Sequence, residues 1–416
     1  MAEIYDIVVV GGGVAGLIAA GTAAGQGSRV LLIEKMEKPA RKLRITGKGR
    51  CNLTNLRARE GFLEKVRSGA EFVSYAYDRF DNRALTEFFE SIGIPLTLER
   101  GERIFPESGR AWDVAEGLVR WVKAKGGEIR CDSPVTELII ENNAIKGVKT
   151  DNGKILASQV IMSTGGVSYP STGSTGEGHQ MAYDAGHGIE PLRPALVPLV
   201  AKSNIKGLSL RNVEVSLIID REPVDKRFGE MEFNDRGITG PIILQISRTA
   251  VDAIGDNKQV EISIDLKPAL DKQKLMSRID RDVETLKDVS VKILLQKLTP
   301  SPLHSEIARQ SGINSSTPLS RLDATDKESL AYTLKNLKFS ITGYRPFTEA
   351  IITAGGVELS QVDPHTMESL IVKGLFFAGE LLDIDADTGG FNIQLACSTG
   401  RLAGESAAAG ARNRKR

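Results

Sequence analysis

The reading of the fold turns on Asp6-Ile-Val-Val-Val-Gly11-Gly12-Gly13-Val14-Ala15-Gly16, followed by Arg29-Val-Leu-Leu-Ile-Glu34. Residues 7–10 are a short apolar run of the kind that forms a buried parallel strand, and Gly11, Gly13 and Gly16 follow at the spacing of a dinucleotide fingerprint. Gly11 suits a tight turn, Gly13 leaves room for a pyrophosphate, and Gly16 lets the next helix close on the sheet. That helix, predicted over residues 14–26, points its first turn, with Val14 and Ala15, at an anion. Residues 29–33 supply a second strand, and Glu34 at its end is placed to accept hydrogen bonds from ribose hydroxyls. Glycines at this spacing are weak evidence alone; strand, glycines, helix and acid in this order are specific.

The 416 residues predict two or three domains, and 41% hydrophobic with 26% charged residues is a globular composition. With 54 Lys and Arg against 53 Asp and Glu, no global field marks a nucleic-acid binder, and no DNA partner is expected. Cys51, Cys131 and Cys397 contain no CxxC, which excludes a disulfide framework and suits a reducing cytoplasm. No apolar run reaches the length of a membrane span, and the first residues lack the basic region of a signal peptide. A cytoplasmic protein without a membrane partner is therefore expected.

Residues 35–55 read as a polar, glycine-containing loop that cannot be core. It leaves the carboxyl end of a sheet strand, where ligands of doubly wound folds bind, so Lys35, Lys42, Thr46, Gly47, Gly49, Arg50 and Asn52 become candidate cofactor contacts. Residues 70–93 carry two amphipathic patterns, and residues 94–106 two short strands around Gly101. After a helix over 114–125, short strands alternate around an Asn142-Asn143 turn; Val135 opens one of them and joins the candidate contacts. Residues 154–162 return to the main sheet and end at Ser163-Thr164-Gly165-Gly166, where Thr164, Gly165 and Gly166 again bring backbone near a pyrophosphate. Residues 199–265 alternate like antiparallel strands, and residues 269–334 turn helical. The second strong motif is Ala378-Gly379-Glu380-Leu-Leu-Asp383-Ile-Asp385-Ala-Asp387-Thr388-Gly389-Gly390-Phe391-Asn392-Ile393-Gln394: a strand, a carboxylate-rich loop and a helix entered through glycines. The three aspartates lack the glycine and glutamate of a calcium loop, so no metal is expected, and Glu380 or Asp383 is read as a ribityl-hydroxyl acceptor. Gly379, Gly390, Phe391, Asn392 and Ile393 complete the candidate cofactor set.

Together these segments resemble the bacterial two-domain NAD(P)/FAD-dependent oxidoreductases, the family that includes the BaiN-like and aminoacetone-oxidase-like proteins. The resemblance is carried by residues 11–16, Glu34, 46–52, 163–166, 194–198, 237–241, 353–357, 378–383 and 389–394, and departs from the family at Asn234-Asp235 and Leu370. It implies an α/β fold. A Rossmann-like, glutathione-reductase-type FAD-binding domain (residues 1–190 and 346–416) is interrupted by an inserted antiparallel β-barrel-like domain (191–266 and 335–345) carrying a small helical insert (267–334). FAD would span both motifs, with Arg50, Cys51 and Asn52 near its reactive edge as the catalytic candidates. Arg50 would stabilise a reduced flavin or bind an acidic substrate; Cys51, without a resolving partner in sequence, reads as a small buried residue. His304 reads as structural, and neither His179 nor His187 is assignable as a proton donor.

The expected function is hydride transfer through a tightly bound flavin to a small-molecule substrate. Only one fingerprint is present, so NAD(P)H would visit transiently as electron donor. The alternative is reduction of uridine to dihydrouridine in ribosomal RNA, with Lys38, Arg41, Lys42, Arg44, Lys48, Arg50 and the tail 412–416 contacting phosphates. Further alternatives are an amine oxidase using oxygen and a non-catalytic flavin-binding protein.

Overall fold

A computed structural model describes residues 3–287 and 289–415. The chain divides into two compact units, Met1–Pro194 with Ala350–Arg416, and Ala195–Glu349.

In the first unit the fingerprint strand β1 (Glu3–Val10) is central to a seven-stranded sheet. Its inner residues Ile7, Val8 and Val9 are fully buried, because parallel partners cover both edges and helices Val14–Gly25 and Phe391–Lys415 pack against the strand. On one side lies β2 (Val30–Ile33), with Val10 opposite Ile33; on the other lies strand Gly153–Met162, with Val10 opposite Met162. Strands Glu128–Arg130 and Leu375–Phe377 extend the parallel part, and Ala144–Thr150 with Val135–Glu141 form an antiparallel flank. Three strand ends therefore converge on one turn. The Gly11 N–H donates to Ile33 O at 2.8 Å, and Ser163 Oγ lies 3.0 Å from the carbonyl oxygens of Val10 and Gly11.

Helix α1 (Val14–Gly25) rests on the final helix, Phe391–Lys415, at backbone distance. A Cβ on Gly400 would fall 2.4 Å from Ala15 O, and one on Gly404 2.5 Å from Ala19 O, so the small residues there are a steric requirement. The segment read as a purely polar loop, residues 35–55, is more structured than expected. It contains helix α2 (Arg41–Ile45), a 3-10 turn at Thr46–Gly49 and strand β3 (Thr54–Asn55), and Cys51, Leu53, Thr54 and Asn55 are buried. Its basic side chains range from exposed, as at Arg50, to largely buried, as at Arg44, while Cys51, Leu53, Thr54 and Asn55 enter the core. The antiparallel pairing of β3 with Arg103–Pro106 draws them in.

The second unit holds the expected antiparallel barrel, closed in the order Leu199–Ala201, Gly237–Thr239, Glu222–Asn234, Leu208–Ile219, Val260–Asp265, Leu337–Tyr344. Inward residues such as Leu210, Val215, Leu217, Ile262 and Phe339 alternate with outward polar ones, and helix Pro241–Gly255 adds Ile242, Ile243 and Ile246 to their core. Helices between Lys272 and Lys335 share that core. Among the described residues no helix is long and apolar enough to cross a membrane.

Candidate active site

At the start of α1 the three fingerprint glycines are under different constraints. A Cβ on Gly16 would meet Gly11 O at 2.0 Å, and one on Gly11, at φ +101°, would meet Ser163 O at 2.6 Å. A Cβ on Gly13 would meet nothing closer than 3.9 Å. The fold thus needs glycine at 11 and 16, whereas at 13 it leaves open surface. The α1 N-terminus has no side-chain cap, so its first N–H groups keep the partial positive charge that favours an anion. Beside it, Glu34 accepts from the Gly12 N–H at 2.8 Å and the Met36 N–H at 2.9 Å. A carboxylate has about four acceptor positions, so each oxygen can also take a hydroxyl. Burial raises the carboxyl's pKa above its ordinary value, opposed by those two N–H groups. Lys35 pairs with Glu177 at 2.8 Å, and Ser133 N–H donates to Glu34 O at 3.1 Å, bringing the start of the Val135 strand alongside.

A second polar group forms where strand Gly153–Met162 ends. Lys42 Nζ lies 2.6 Å from Glu380 Oε2, while Glu380 Oε1 accepts from the Thr353 N–H at 2.7 Å. A Cβ on Gly166 would strike Thr353 Oγ1 at 2.3 Å, so only glycine lets this turn approach them. Thr164 Oγ1 is buried without a partner, as are both ring nitrogens of His179, a residue 4% exposed. Burial pushes His179 down to about 4, against the opposing charge of Glu380.

That shift has a stability consequence. An unfolded histidine titrates near 6.5, so the neutral folded ring contributes stability that is complete above that pH and lost as pH falls toward 4. Flavin-free protein is expected to lose on the order of 2 kcal/mol at pH 4.5 through this residue. Urea unfolding at pH 7 and 4.5 should show the loss shrinking in His179→Gln; an equal loss in both proteins would refute the assignment.

The catalytic candidates are brought near the second motif by a buried interlock. Thr54 Oγ1 donates to Gln394 Oε1 at 2.6 Å, and Gln394 Nε2 donates to Phe80 O at 2.8 Å. A Cβ on Gly390 would lie 2.6 Å from Thr54 C and O. Sequence reading missed this lock; only the buried polar side chains near the helix start hinted at it. Cys51 is fully buried at φ +60°, and burial pushes its thiol up to about 12, which leaves no thiolate for chemistry near neutral pH. Asn52 Oδ1 is buried without a partner. Arg50 is exposed, ion-paired to Glu99 and stacked 4.5 Å over Phe105.

Candidates of the second motif also make contacts within the fold. The Asn392 amide is spent on the loop: Oδ1 accepts from Ala386 N–H at 2.9 Å, and Nδ2 donates to Ala386 O at 2.8 Å and Asp387 O at 3.3 Å. Phe391 packs edge-on against Phe62 in the core, 4.9 Å between ring centres. Asp383 accepts from Gly355 N–H and Ser68 Oγ, both at 3.1 Å. Ile393 is partly buried against the same core. Asp387 is paired with Arg67 at 2.8 Å, and among the described residues no group of three His, Cys, Asp or Glu is arranged to hold a metal.

Comparison with known proteins decides the family. The family model described as the HI0933-like protein Rossmann domain matches residues 5–406. The chain belongs to this family. A 3-dehydro-bile acid delta(4,6)-reductase of Clostridium scindens is 31% identical over 97% of this chain and 98% of its own. A ribosomal RNA dihydrouridine synthase of Escherichia coli is 28% identical over 95% and 96% respectively. Among solved structures, the 3-ketosteroid-delta4-(5alpha)-dehydrogenase of Rhodococcus jostii superposes with a TM-score of 0.56 at 16% identity, covering 98% of this chain and 97% of that one, a likeness of fold. This HI0933-like protein is an FAD-dependent oxidoreductase.

Proposed function

We propose that this HI0933-like protein is a reductase that delivers a hydride, drawn from NAD(P)H, to a carbon–carbon double bond conjugated to a carbonyl. The end-to-end likeness to the bile acid reductase carries the reading. The reactions named for both relatives, reduction of an unsaturated 3-oxo acid and of uridine, share that bond type.

The residues fit FAD on several counts. Open surface over Gly13 before an uncapped helix suits a pyrophosphate, and Glu34 retains acceptor positions for ribose hydroxyls. Lys42 with Glu380 offers a cation and an acceptor beside the turn at Gly166. Bound FAD would supply the hydride transfer; the protein binds, orients and excludes water. The remaining contacts are assigned to main chain at Gly165, Gly166, Gly379, Gly390 and the first turn of the last helix, because the Asn392 side chain is already engaged. Arg50 is assigned to the substrate's carbonyl oxygen or an acidic group on it, with Glu99 as the competing partner.

The ribosomal RNA reading rests on the relatives' names. Four of its six proposed loop cations are ion-paired: Arg41 with Glu37, Lys42 with Glu380, Arg44 with Glu116 and Arg50 with Glu99. Lys38 sits over the Trp112 ring at 5.4 Å, and Arg416 lies outside the described residues. Such pairing weakens the field a phosphate chain would meet.

Anaerobic mixing of the FAD-loaded protein with NADH or NADPH tests the donor half. Rapid loss of the oxidised-flavin absorbance with one of them is expected. Absorbance unchanged by both over minutes would remove the nicotinamide donor.

A further inference from the structure

The segment Thr353-Ala-Gly-Gly-Val357 carries part of the family resemblance, yet the function above does not use it. It lies in strand Ile352–Val357, which is buried throughout. Its backbone is bonded to the second motif: the Thr353 N–H donates to Glu380 Oε1 at 2.7 Å, and the Gly355 N–H, two residues on, donates to Asp383 Oδ1 at 3.1 Å. The Thr353 side chain is bonded to a different segment. Its hydroxyl accepts from the Val167 N–H at 2.9 Å and the Ser168 N–H at 3.1 Å, and lies 2.8 Å from Ser168 Oγ. A hydroxyl has two acceptor positions and one proton. The two N–H groups fill the acceptor positions, so the proton goes to Ser168 Oγ and the hydroxyl is saturated.

Both sets of partners border the start of α1. Ser163 O lies 2.6 Å from where a Gly11 Cβ would be and 3.9 Å from the open position over Gly13. From there the turn runs through Gly166, whose Cβ would fall 2.3 Å from Thr353 Oγ1 and 3.0 Å from Glu380 Oε1, to the Val167 and Ser168 N–H groups that Thr353 holds. Glu380 follows Gly379, and a Cβ on Gly379 would meet Ala15 Cβ, in the first turn of α1, at 2.8 Å. One residue thus ties two borders of the same helix start together, the turn through its hydroxyl and the carboxylate through its N–H.

We propose that Thr353 is a positioning residue for the dinucleotide: its hydroxyl sets the turn at Gly165 and Gly166, and its N–H sets Glu380, and through it Lys42, at the spacing that FAD requires. The inference rests on the FAD reading of the site. Lys42 belongs to the set because its Nζ lies 2.6 Å from Glu380 Oε2, the oxygen that Thr353 leaves free. Valine has the shape of threonine but no acceptor. It would leave two N–H groups of the turn without their partner, so the turn must move to regain one. Serine keeps the acceptor and the proton and loses only a methyl group.

The experiment is titration of flavin-free protein with FAD for wild type, Thr353→Val, Thr353→Ser and Ser168→Ala, each beside a thermal unfolding curve of the flavin-free form. Wild type binding FAD establishes the underlying reading, and its failure to bind would overturn that reading and the inference with it. At a temperature where the flavin-free variants are folded, Thr353→Val is expected to weaken FAD about tenfold or more, and Thr353→Ser to recover most of the loss. A lower unfolding midpoint in Thr353→Val, with FAD held within about twofold of wild type, would leave Thr353 a purely structural bond and overturn the inference. Thr353→Ser weakening FAD as much as Thr353→Val would also overturn it, because the hydroxyl would then not be the cause. If Thr353→Val does not fold, Ser168→Ala, which removes the acceptor of the Thr353 proton, decides. FAD bound about threefold more weakly there supports the inference, and unchanged affinity overturns it.

Discussion

Gly13→Ala is expected to fold as stably as the wild type and to bind FAD about a hundredfold more weakly. Gly13 has φ −69°, which alanine adopts freely, and its Cβ would find nothing within 3.9 Å. In the flavin-free protein the substitution is neutral or slightly stabilising, by up to about 1 kcal/mol, through the unfolded chain. The new methyl group would instead occupy the surface over which a pyrophosphate must approach the backbone. Gly16→Ala provides the opposite pattern. Its Cβ would lie 2.0 Å from Gly11 O and 2.6 Å from Ser163 Oγ, so the strand–turn–helix itself must shift. Thermal unfolding of the flavin-free forms and FAD titration together separate the two. Undiminished FAD affinity in a folded Gly13→Ala protein would contradict the placement of the cofactor.

Gly390→Ala is expected to destabilise the first unit by about 3 kcal/mol or more, with release of flavin at a thermal midpoint about 5 °C or more lower. Two effects combine. Gly390 stands at φ +101°, which costs an alanine about 1 kcal/mol or more, and its Cβ would lie within 2.7 Å of three backbone atoms of Thr54. Backbone cannot rotate away as a side chain can, so β3 and the buried Thr54–Gln394 bond must move with it. Gly93→Ala is the control. It also has a positive φ, +81°, but nothing lies within 4 Å, so only the conformational cost of about 1 kcal/mol remains. Equal midpoints for the two variants would show that the interlock contributes nothing.

The contrast between these glycines indicates what was legible in the chain. Local geometry was: apolar runs, glycine spacing and the acid after β2 specify a strand–turn–helix–strand unit whose parts are adjacent in sequence. The alternation that marks the barrel was equally local. Residues 35–55 were misread because their charges dominate the composition, while burial follows the pairing of β3 with a strand some fifty residues on. The partners of the Asn392 side chain, Ala386 and Asp387, are set by a loop shape that no spacing rule gives. Likewise the unsatisfied His179 is recognisable only by what it lacks, which needs every neighbour in place.

The most direct test of the proposed chemistry is the oxidative half-reaction. The protein is reduced anaerobically, then mixed with a ketone bearing conjugated double bonds, such as a 3-oxo-Δ4,6 steroid acid, with a uridine-containing RNA, or with buffer. Fast reappearance of oxidised flavin with the conjugated ketone, and a product carrying two more hydrogens, is the predicted result. A flavin that no conjugated carbonyl reoxidises faster than buffer, but that an amine reduces and oxygen reoxidises, would contradict it and make the protein an oxidase.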